Sequence, residues 1–130
     1  MLLGHQRLAD GEPARARAHL IEGAALFQAT GNLVYLAWCL EGLAGVAAAE
    51  GDLGRAAEIA GGRDALRTQT GVLLPPVYPA AWNLMLATVR TGLGETAFDE
   101  ARGKMADRPP PEIIAAATGT SPGTRWREAR

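Results

Sequence analysis

The groups in this sequence that could do chemistry are one cysteine, two histidines and a scatter of carboxylates. Cys39 would act as a nucleophile only with a base beside it to take its proton. The two histidines, His5 and His19, lie early in the chain, and no motif brings either to Cys39. Cys39 instead stands among Leu36, Leu40 and Leu43 at helical spacing, the setting of a small buried hydrophobe. Thiol catalysis is therefore not expected. Asp10, Glu12, Glu50, Asp52, Glu95 and Glu112 fall at helix ends and turns, where interaction with the helix dipole accounts for them. A glycosidase-like pair would need two carboxylates across a cleft, and spacing alone neither makes nor forbids one. Gly92-Leu93-Gly94 is too short for a phosphate loop. Gly103-Lys104 lacks both the earlier glycine and the following serine or threonine of a P-loop. No Cys/His grouping has metal-ligand spacing, so no catalytic residue, cofactor or metal is expected.

Composition narrows the partners. The net charge of −1 gives no electrostatic reason to expect nucleic acid or an anionic membrane surface. Arg125-Trp126-Arg127 mixes cations with an aromatic ring, but a single triplet of this kind is ordinarily solvated, and no direct nucleic-acid binding is expected. No run approaches the roughly 20 apolar residues that span a bilayer. The start of the chain lacks the basic and apolar regions of a signal peptide. A lone cysteine fits a reducing compartment, and the reading is a soluble, cytoplasmic protein with no membrane partner.

The elements that must position any site are helices. Apolar residues make up 48% of the chain while aromatics make up 5%, so alanine carries much of the apolar fraction and favours closely packed helices. A repeat appears: Gly11, Gly51 and Gly92 are each followed five residues later by an alanine, at Ala16, Ala56 and Ala97. Each glycine suits a left-handed helix terminus between two helical stretches. Helical stripes run through Ala16, Leu20, Gly23, Ala24 and Phe27, through Leu33 to Ala47, and through Ala56, Ile59, Ala60 and Leu66. Further stripes run through Trp82, Met85, Leu86 and Val89, and through Ala97, Phe98, Ala101 and Met105. Pro75-Pro76 and the Pro109-Pro110-Pro111 run interrupt them. Gly61-Gly62 is the anomaly, since each glycine inside a helix costs about 1 kcal/mol relative to alanine. Close approach of a second helix or a kink would account for it, and close approach is favoured.

These features resemble the tetratricopeptide (TPR) pattern. The matching residues are Leu3-Gly4, Gly11, Ala16 and Leu20 in one unit, and Leu43-Ala44, Gly51-Asp52 and Ala56 in the next. The period is near forty rather than 34, and Ala47 and Ala60 stand where the pattern prefers aromatics. The run Ala37 to Ala49, Asp64-Ala65-Leu66-Arg67, Leu74-Pro75-Pro76 and Leu93 to Phe98 are similar to the MalT-like C-terminal helical region of LuxR-type and signal-transduction ATPase regulators. Two departures are Arg102, where that family often has tryptophan, and Tyr78-Pro79-Ala80-Ala81-Trp82, where a glutamate-rich helix start is usual.

The resemblance implies an all-α fold of antiparallel helix pairs stacked as a short TPR-like solenoid, about three helical hairpins plus a short terminal helix. The repeat spacing, the proline breaks and the tail composition place a domain over 1–118, with units near 1–31, 32–71 and 72–107, a terminal helix at 111–118 and a flexible tail at 119–130. The resemblance implies a non-catalytic protein–protein interaction scaffold, a fragment or stand-alone relative of a regulator; the alternative is a helical module sensing a small effector. Its groove would offer Tyr35, Trp38, Glu41, Trp82 and Arg90 to a protein partner, unless Trp38 and Trp82 fill seams between units. The first helix counts back only about ten residues from Gly11, which implies a detached piece that self-associates through that end or docks on a missing regulator domain.

Overall fold

The computed structural model describes residues 11–71, 76 and 78–119. Six helices occupy them: α1 (Pro13–Thr30), α2 (Leu33–Ala49), α3 (Leu53–Thr70), α4 (Pro79–Leu93), α5 (Glu95–Gly103) and α6 (Pro110–Thr118). The fold is all-α, with helix pairs packed on one another. The start of the first expected unit, the tail beyond Gly119 and the Leu74-Pro75 half of the proline junction lie outside the described residues.

The two N-terminal turns use one design twice. At Gly51, which holds φ at +81°, the N–H of Gly51 donates to Ala48 and that of Asp52 to Ala47, closing the end of α2. The Asp52 carboxylate then accepts from the Arg55 N–H at 3.3 Å and opens α3. Gly31 and Asn32 repeat this between α1 and α2, with the Asn32 side chain accepting from the Tyr35 N–H at 3.2 Å. Two residues thus end one helix and begin the next, which holds each hairpin tight.

The third repeat glycine departs from this. Gly92 lies inside α4, and the residue with positive φ is Gly94, at φ +85° with an extended ψ of 157°. Gly92 faces the tip of the Leu53 side chain, which can move aside, and the helix ends only after Leu93. Met105 also lies beyond α5, buried in the turn that follows, so the fifth stripe is shorter as a helix than its spacing suggests.

Helix α3 is the centre. It packs against α2, α4, α5 and α6, while α1 packs on the far side of α2. α6 does not extend the line of hairpins; it turns back along α3, where Arg55 donates to the Ala116 and Ala117 carbonyls at 3.2 and 3.1 Å. That guanidinium caps the C-terminal end of α6, where positive charge is favoured. The close approach expected at Gly61-Gly62 is present and α3 stays unbroken. A Cβ at Gly61 would sit 2.7 Å from the Arg102 carbonyl carbon, and one at Gly62 would sit 2.8 Å from Ile113 Cγ2. The core is continuous, from Leu20 and Ala24 through Leu36, Leu40 and Ile59 to Val89, Phe98 and Ile113.

Candidate functional site

Two polar or aromatic constellations stand out from this apolar frame. The first is buried. Glu41 near the middle of α2 and Arg63 on α3 form an ion pair with Nε donating to Oε2 at 2.9 Å, their side chains 3% and 5% exposed. Arg63 Nη1 donates to Asp64 Oδ1 at 2.8 Å, and Asp64 Oδ2 accepts from Arg102 Nε and Nη2 at 3.0 and 2.6 Å. The Arg63 guanidinium carbon lies 4.7 Å from the centre of the Trp82 ring on α4. Phe98 on α5 receives Arg90 at 4.8 Å and Arg102 at 5.6 Å.

Charges alternate along this chain of contacts, so each is compensated by its neighbour. Arg63 Nη2 is buried without a hydrogen-bond acceptor, and the adjoining π face of Trp82 is the contact that offsets its desolvation. The arrangement ties α2, α3, α4 and α5 to one another. Its carboxylates are spent on guanidinium groups, which leaves the cluster suited to fixing helix positions rather than to moving protons.

The second constellation lies at the surface. Phe27, Tyr35 and Trp38 form a ladder of tilted rings with centroids 5.1 and 5.2 Å apart. Tyr35 is 38% exposed and Trp38 is half-buried. The Asn32 cap sets the start of α2 and with it the direction of Tyr35, so the local turn chemistry aims the ladder.

The residues expected to line a groove therefore separate. Tyr35 and Trp38 remain together at the surface. Glu41 and Trp82 come together through Arg63, but both are buried, 5% and 7% exposed, and neither is offered to a groove. Arg90 is exposed, ion-paired with Glu95 at 3.4 Å and laid over Phe98. Arg63, Asp64 and Arg102 complete the buried cluster. Their signal was present in the sequence: Arg63 falls on the stripe of Ala56, Ile59, Ala60 and Leu66, and a charge on an apolar stripe requires a buried partner.

Cys39 is buried, and that burial pushes its thiol up to about 11, the reverse of what a nucleophile needs. His5 and Arg125-Trp126-Arg127 lie outside the described residues. Among the described residues no group of three His, Cys, Asp or Glu side chains could hold a metal ion, and no helix is long and apolar enough to cross a membrane. Compared with family models, curated proteins and solved structures, the chain matches none.

Proposed function

We propose that this chain is a non-catalytic protein–protein interaction scaffold of the cytoplasm, a relative of the TPR-like helical region of LuxR-type regulators, with α2–α3 and α4–α5 as successive repeat units. The observation that carries this reading is the Phe27–Tyr35–Trp38 ladder. Partly exposed aromatic rings, here stacked across the capped α1–α2 turn, are the residue type that anchors interfaces. The burial of the ion cluster supports it from the other direction, because the strongest polar contacts serve the frame and leave recognition to the surface.

The test is the Tyr35→Ala chain used as bait beside the unaltered one. The reading expects a protein retained by the unaltered chain and lost by Y35A, with the thermal transition of both unchanged. Equal retention by both chains, or a Y35A chain that loses its cooperative transition, contradicts it.

A further inference from the structure

Helix α6 begins its own hydrogen-bond ladder. The N–H groups of Glu112 and Ile113 both return to the Pro109 carbonyl, at 3.1 and 3.2 Å, and Pro109, Pro110 and Pro111 carry no N–H that could reach further back. The ladder of α6 is thus separate from that of α5. Just before it, Met105 is buried against α3, where a Cβ on Gly62 would lie 3.2 Å from its sulfur, and residues 106–109 are all exposed. The chain is pinned at Met105, and the four residues that follow form a pivot.

The docked element is short. α2 and α3 carry the packing of α6, which buries Ile113, Ile114, Ala115 and Ala117. With nine residues it falls below the roughly 12–15 at which an isolated helix becomes even marginally stable, so docking is what keeps it helical. Its far end is held by Arg55, whose Nη2 donates to the Ala116 and Ala117 carbonyls.

We propose that α6 is a strap, which undocks and unwinds as a unit about residues 106–109 while α1 to α5 stay folded, and that Arg55 is its clasp. A terminal element with few buried side chains and a ladder of its own is the kind of unit that opens below the global free energy. α3 keeps α2, α4 and α5 against it when the strap leaves, so the core beneath survives. Opening bares the side of α3 at Gly62 that Ile113 fills, and the strap thereby sets whether this apolar face meets solvent. The proposal goes beyond the scaffold reading and uses no residue of the aromatic ladder.

Thiol labelling of the full chain at a series of low denaturant concentrations tests it, with Cys39, buried in α2 and the chain's one natural cysteine, as the internal reference. Ile114→Cys and, separately, Ala117→Cys place a reporter thiol on the strap at positions 4% and 3% exposed. The second variant removes no large side chain and guards against a strap loosened by the loss of Ile114. At either position the reporter should react about tenfold or more faster than Cys39, each relative to its unfolded rate, and with a weaker denaturant dependence. Arg55→Met should speed both reporters by about tenfold and leave Cys39 within about twofold. Protection equal to that of Cys39 at either position, or no acceleration by R55M, overturns the proposal.

Discussion

Helices α3 and α4 reverse the usual relation between composition and burial. α3 carries Arg55, Glu58, Arg63, Asp64 and Arg67, yet nine of its eighteen residues are buried. α4 carries Arg90 as its one ionisable residue, yet two of its fifteen residues, Trp82 and Val89, are buried. The inversion has a physical basis. α3 is lined with Ala and Gly, so four helices approach it closely, and its long polar side chains reach out between them to partners. Glu58 meets Lys104 at 3.1 Å, Asp64 meets Arg102, and Gln69 donates to the Arg108 carbonyl at 2.9 Å. α4 has larger apolar side chains, but only Trp82 and Val89 are fully buried, with Met85, Leu86 and Leu93 partly covered beside them. Between these two helices position in the packing outweighs hydropathy, whereas in α2 the two agree, with ten of its seventeen mostly apolar residues buried.

The comparison is broken most strongly at the Glu41–Arg63 pair. Glu41→Ala leaves a buried guanidinium without its carboxylate and should cost about 3–5 kcal/mol in denaturant unfolding. The double variant Glu41→Leu with Arg63→Met should recover most of that, because removing both charges removes the desolvation penalty with them. Next is Gly61→Ala, which drives a methyl into the Arg102 backbone; an overpacking cost offset by a gain in helix propensity leaves about 2 kcal/mol of lost stability. A loss under about 0.5 kcal/mol would mean that α5 is not held against α3 as described.

Smaller effects sharpen the contrast. Asp52→Ala and Asn32→Ala each remove a side-chain cap and should lower stability by about 1 kcal/mol. Leu84→Glu, on the open face of α4, should change stability by less than about 0.5 kcal/mol. Cys39 supplies a pH test. Its thiol is held neutral in the fold with a folded value above the ordinary 9.0, so folding favours the protonated form. That contribution is whole below pH 9 and declines as pH rises toward about 11, so melting should fall across this window, and less steeply in Cys39→Ala. Thiol reagents should be slow with the folded chain at neutral pH and fast after unfolding.

Much of the frame was legible in the sequence. The stripes from Ala16 to Leu66 were buried apart from the partly open Gly23, Phe27 and Leu33, and the Gly-Asx pairs at 31–32 and 51–52 marked both turns. The double glycine pointed to a close helix crossing or a kink, with the crossing favoured, and the crossing is what the structure has. Less legible were features that depend on distant partners. Gly92 copies the spacing of Gly51, yet it falls inside α4 and the positive φ is taken two residues later by Gly94. Glu41 looks like an open groove residue when α2 is read alone, and Arg63 on α3 turns it inward. The return of α6 onto α3 was hidden for the same reason, since Arg55 and Gly62 lie some sixty and fifty residues before the groups they receive.

Native-state hydrogen exchange tests most directly the claim that the charged helix is the core and the apolar helix the surface. The account predicts that amides of Ala60 to Leu66 in α3 exchange only through global unfolding, while those of Leu84 to Thr88 in α4 exchange earlier, through partial opening of lower free energy. Equal protection of the two helices would contradict it.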